Sequence, residues 1–127
     1  MAELIASLDA GRVRDNLARV RDAIAGACPA GRDPAEIEVL AAVKYVRSEQ
    51  LGALAEAGVT LLGENRAQEL EGKAAAWEGR APFTWDFIGH LQSRKVRQVL
   101  PHVRRIHSVA SDSVLRELAK HGEGSGV

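Results

Sequence analysis

Lys44 closes the apolar run Val39-Leu40-Ala41-Ala42-Val43 and stands just before a helix-start signal at Ser48. A primary amine at the mouth of an apolar core is a candidate covalent handle. Neutral lysine attacks aldehydes to give Schiff bases, and burial favours the neutral form. Glu64-Asn65, Gly89-His90 and Ser108 end apolar stretches at regular intervals further along the chain. Each position also has a plainer reading. Lys44 would be a solvated strand-end lysine, Asn65 a helix cap, His90 a donor to a backbone carbonyl and Ser108 a loop hydroxyl. The choice depends on whether the fold gathers them on one rim.

The elements that would do so follow from hydrophobic periodicity. Val13, Leu17, Val20 and Ile24 recur at helical spacing between about Leu4 and Ala25, and the Cys28-to-Pro34 stretch breaks that helix with two prolines and a glycine. A strand is expected over about 38–45, then a helix capped by Ser48, carrying Leu51, Leu54 and Ala55 inward and stopped by a left-handed Gly58. A second strand at 59–62 leads to a helix with Ala67, Leu70, Ala74 and Trp77 inward. A third strand at 83–88 leads to a helix from about Ser93 to Leu100, with Val96, Val99 and Leu100 inward, that Pro101 stops. A fourth, 105–109, precedes a helix capped by Ser111 or Asp112, with Val114, Leu115 and Leu118 inward and its end at Gly122. The glycine-rich 122–127 reads as a loop tail.

Strand–helix alternation without hairpin signals argues for parallel βα units, whose strand carboxyl ends share one rim. Lys44, Asn65, His90 and Ser108 sit at those ends. The 127 residues suffice for one domain but fall well short of the roughly 250 typical of a complete eight-stranded barrel. Seventeen basic residues balance seventeen acidic ones, so no net field draws the protein to nucleic acid or anionic membrane. The cluster Arg94, Lys95, Arg97, Arg104 and Arg105 lacks interleaved aromatics and reads as a charged surface. The lone Cys28 can form no internal disulfide, and neither a secretory leader nor a run of bilayer length is visible, so a cytoplasmic protein is expected.

Three segments, Leu40-Ala41-Ala42-Val43-Lys44, Leu62-Gly63-Glu64-Asn65-Arg66-Ala67-Gln68-Glu69-Leu70 and Trp85-Asp86-Phe87-Ile88-Gly89-His90-Leu91-Gln92-Ser93-Arg94-Lys95, together resemble the pyridoxal phosphate homeostasis protein family. Ile106-His107-Ser108-Val109 fits its next strand. The resemblance covers nearly the whole chain and about the first half of the family's usual length. It implies a single partial domain over 1–127, with βα units at about 38–121: the N-terminal half of a parallel (β/α)8 TIM-type barrel, similar to the N-terminal domain of alanine racemase. It also implies that pyridoxal 5'-phosphate (PLP) is held as an internal aldimine on Lys44, with Asn65 and Ser108 lining the cofactor pocket and His90 supporting them from behind. Val43, Val46, Arg47 and Arg94 depart from the family's commoner residues at their positions.

The function so implied is PLP binding in vitamin B6 homeostasis, without turnover and with apo PLP-dependent enzymes as acceptors. An alanine-racemase-like enzyme fragment is the alternative, although the β-rich second domain and tyrosine base of such an enzyme are not visible. Tyr45 is expected to point away from Lys44, because successive strand residues face opposite sides. The family's phosphate-binding loops belong to the half outside this chain, so weak PLP retention is expected, and a truncated barrel with no effective PLP binding is a further alternative. If the half barrel folds alone, its open edges would favour a homodimer.

Overall fold

The computed structural model describes residues 3–127. Helix α1 spans Ala10–Ala27 and begins where the Asp9 carboxylate accepts a hydrogen bond from the Arg12 amide. The expected start at Leu4 is therefore corrected to Ala10. Residues before the cap are drawn off by other bonds: the Ile5 amide donates to the Tyr45 carbonyl at 2.8 Å, and Gln50 Nε2 donates to the Ala6 carbonyl at 2.7 Å. Val13 and Leu17 pack against the core, but Val20 is exposed, so the helix engages only part of its stripe.

Four strands follow: β1 (Ala41–Ala42), β2 (Leu61–Glu64), β3 (Thr84–Phe87) and β4 (Arg105–Ile106). They form one sheet in the order β1-β2-β3-β4, every neighbouring pair parallel. Helices α2 (Leu51–Glu56), α3 (Ala67–Trp77), α4 (Val96–Val99) and α5 (Asp112–His121) follow their strands in turn. Sequential order without reversal is that of a half (β/α)8 barrel; a doubly wound sheet would switch direction partway.

Several boundaries differ from those read in the sequence. β1 is shorter than 38–45, because the chain turns directly after Val43, whose carbonyl accepts from the Val46 amide at 3.0 Å. β2 runs later than 59–62, since Gly63 and Glu64, read as the strand's end, pair with Asp86 and Phe87. Ser48 does not cap α2; it opens a 3-10 turn, Ser48–Gln50, and its carbonyl accepts from Trp77 Nε1 at 2.8 Å. Pro101 falls inside a 3-10 turn, Leu100–His102, that extends α4. β4 stops at Ile106, although the His107 amide still bonds to the Phe87 carbonyl. Gly58 does adopt the left-handed conformation, and Ser111 caps α5 by accepting from the Val114 amide. Leu115 is 58% exposed rather than inward.

The core lies between the sheet and its helices. Val43, Leu62, Trp85 and Phe87 from the strand side meet Leu51, Leu54, Leu70, Val96, Val99 and Val114. Side chains alternate along a strand, so the opposite face carries the paired row Ala42, Gly63, Asp86 and Arg105. A Cβ on Gly63 would stand 2.4 Å from Leu40 Cδ2 and 2.9 Å from Ile88 Cδ1. Glycine at that position lets the flanking strands' side chains close over β2.

Candidate functional site

Lys44 occupies the second position of the Val43–Val46 turn at the carboxyl end of β1. Its side chain is exposed, so the burial expected to favour a neutral amine is absent, because a turn rather than a buried strand carries the residue. Nζ lies 5.4 Å from the centroid of the Tyr45 ring. The turn overrides strand alternation and brings the two adjacent side chains to one side, correcting the expectation that Tyr45 points away. Among the described residues Lys44 Nζ makes no hydrogen bond or ion pair. Its contact with Tyr45 is a cation–π attraction worth about 0.5–1 kcal/mol at an exposed position.

Beneath this turn lies a buried ion pair that the sequence reading did not find. Lys73 of α3 and Glu64 at the end of β2 are 4% and 1% exposed, and Lys73 Nζ donates to Glu64 Oε2 at 2.8 Å. The same ammonium donates to the Val43 carbonyl at 2.9 Å, while Glu64 Oε1 accepts from the Asn65 amide at 2.9 Å. Every charged atom of the pair thus has a partner, the condition under which buried charge is tolerated. One signal was available: Lys73 follows Leu70 by three positions, on the apolar stripe of α3.

Asn65 and His90 line one open cleft of about 310 Å³, with Arg66, Gln92 and Lys95 also on its walls. Asn65 is half-buried, and its Oδ1 is buried with no hydrogen-bond partner among the described residues. His90 is exposed. The two strand ends are in close contact: a Cβ on Gly89 would stand 2.2 Å from the Asn65 carbonyl oxygen and 2.7 Å from its Cα. Lys44 lines a neighbouring cleft with Lys73, and Gln68 and Glu69 at the start of α3 border both. Ser108, half-buried beyond β4, borders neither. The structure therefore brings Asn65 and His90 together, sets Lys44 across the first turn of α3 from them, and leaves Ser108 apart.

A second polar cluster lies on the sheet face turned away from the helices. Asp86 of β3 is fully buried and accepts from Arg104 Nε at 3.1 Å, Arg104 Nη2 at 2.9 Å and His107 Nε2 at 2.9 Å. Burial alone would raise the Asp86 carboxyl, but the hydrogen bonds and charges of Arg104 and His107 outweigh it and hold the group below its ordinary value. Arg104 also reaches Glu38 at 2.7 Å, and the bonds to Asp86 and Glu38 push the guanidinium above its ordinary value. Arg104 is thus withdrawn from the basic surface cluster to which the sequence reading assigned it. Among the described residues no group of three or more His, Cys, Asp and Glu side chains is arranged to hold a metal ion, and no helix is long and apolar enough to cross a membrane.

No family model matches the chain. Known proteins do. The pyridoxal phosphate homeostasis protein of Pseudomonas aeruginosa is 35% identical over 109 residues, covering 85% of this chain and 47% of that protein. Its Escherichia coli counterpart is 38% identical over 100 residues, covering 76% and 43%. The chain spans about half the length of the curated relatives it matches. Among solved structures, a protein of unknown function from Bifidobacterium adolescentis superposes with a TM-score of 0.74 at 33% identity, over 99% of this chain and 55% of that one. PipY of Synechococcus elongatus, solved with PLP bound, gives 0.69 at 29% identity over 85% and 47%. With the likeness in sequence and the likeness in fold agreeing over most of its length, the chain belongs to the pyridoxal phosphate homeostasis protein family.

Proposed function

We propose that this chain binds PLP through the Lys44 amine and serves vitamin B6 homeostasis in the cytoplasm without turning over a substrate. The observation that carries the reading is the amine itself: exposed, without a hydrogen-bond partner among the described residues, and held in a short turn at the carboxyl end of β1. The names of the curated relatives and the PLP bound to PipY support it.

The rim fits such a ligand. PLP when bound supplies an aldehyde that condenses with a primary amine, with loss of water. Lys44 offers that amine, and the buried, unpartnered Asn65 Oδ1 offers an acceptor for a polar group of the ligand. His90 shares the Asn65 cleft and supports it from the edge; Ser108 borders neither cleft and has no part in this reading. Tyr45 holds the Lys44 side chain over its ring. Delivery to apo PLP-dependent enzymes would exchange the Lys44 amine for a lysine of the acceptor. Self-association across the open sheet edges belongs to the same reading.

The test is to add PLP, record the absorbance spectrum, trap with borohydride and map the labelled peptide. Label concentrated on Lys44 and lost in Lys44→Ala is expected. Diffuse labelling of many lysines, unchanged by that substitution, would overturn the reading.

A further inference from the structure

We propose that Lys73 is a positioning residue for Lys44, acting through the backbone and touching no ligand; this rests on the reading of Lys44 as the PLP-binding amine. The Val43 carbonyl has two jobs. It accepts from the Val46 amide, closing the turn that carries Lys44 and Tyr45, and it accepts from Lys73 Nζ at 2.9 Å. The same ammonium is anchored to Glu64, whose other oxygen accepts from the Asn65 amide.

Lys73 and Glu64 therefore form a buried brace between the end of β1 and the end of β2. One end fixes the residue before Lys44 and the other fixes Asn65. Ladder bonds alone do not set this geometry: β1 is two residues long, and the Val43 amide, bonded to the Gly63 carbonyl, is the last of its ladder. Beyond that bond the Lys44 backbone is held by the turn's own hydrogen bond, by Lys73, and by the Ile5 amide on the Tyr45 carbonyl. An apolar residue at 73 would serve the core equally well by burial. What the ammonium adds is a directional bond to a strand-end carbonyl, and a displacement of about 1 Å at a reacting group can cost on the order of 100-fold in rate.

Lys73→Met alone strands the Glu64 carboxylate in the core, a cost large enough to unfold the chain by itself. The informative variant is therefore the double substitution Lys73→Met with Glu64→Gln, which removes both charges yet keeps an acceptor for the Asn65 amide. Two readouts are taken on it and on the unsubstituted 127-residue chain: amide hydrogen exchange of the whole chain without PLP, and the rate of borohydride-trapped PLP labelling at Lys44. The expected result is faster exchange confined to residues 44–46, protection unchanged in α3 and β3, and labelling of Lys44 slowed about tenfold or more. Unchanged exchange at 44–46, or exchange raised uniformly across the chain, would overturn the proposal. Exchange confined to the turn, with no Lys44 labelling in the unsubstituted chain, would uphold the brace and reject the PLP reading instead.

Discussion

Arg104 grips Asp86 through two side-by-side hydrogen bonds, 3.1 Å from Nε and 2.9 Å from Nη2, and thereby ties the approach to β4 to the middle of β3. Such fork-on-carboxylate pairing is directional as well as strong. It also makes the fold acid-sensitive in a definite direction. The folded Asp86 carboxyl titrates below its ordinary value of 3.8, so its stabilising contribution is complete above that value and is lost as pH falls through the folded one. Urea denaturation should show stability falling below about pH 4. In Asp86→Asn that fall should be smaller, with about 1–3 kcal/mol already missing at neutral pH.

Gly89 should tolerate no side chain. A methyl there meets Asn65 backbone rather than a movable side-chain tip, at 2.2 Å from the carbonyl oxygen. Gly89→Ala is expected to cost about 1–3 kcal/mol or more, read as a lowered thermal midpoint. Amide exchange should rise first at the β2 and β3 ends.

Leu62 and Phe87 lie back to back with the helices at the centre of the core, 0% and 1% exposed. Leu62→Ala should destabilise by about 2–5 kcal/mol and Phe87→Ala by about 3–5 kcal/mol. Chemical denaturation checks both, and a loss under 1 kcal/mol at either position would mean that the sheet face is not packed as described.

Asp9→Ala removes the α1 cap and should cost about 0.5–2 kcal/mol. No residue of α1 is fully buried, so the loss should stay local. Circular dichroism would show fraying of the helix, while exchange in β2 and β3 remains slow.

The parts of this fold that were legible in the sequence are those where one period dominates. The stripe Ala67, Leu70, Ala74, Trp77 sits on α3 as read, and the apolar run around Trp85 and Phe87 is β3. Legibility failed where a polar group is buried by a partner far away in sequence. Glu64 is the strand end that it reads as, but nothing near it in sequence shows that its carboxylate is buried against Lys73. Arg104 likewise reads as part of a basic surface, and only the fold shows its guanidinium bonded to the buried Asp86. At the rim, the strand-end rule located Lys44, Asn65 and His90 at carboxyl ends, but it did not foresee the tight turn that exposes Lys44 and swings it onto Tyr45. A turn without glycine or proline carries little signal.

The hydrogen bond from the Ile5 amide to the Tyr45 carbonyl gives the first few residues a reach beyond their own neighbourhood. They act as a tether on the turn that holds Lys44, so what is fused, trimmed or left attached upstream of Asp9 becomes a variable in any PLP-labelling measurement at Lys44. Comparisons between preparations of this protein are sound only when their amino termini are the same.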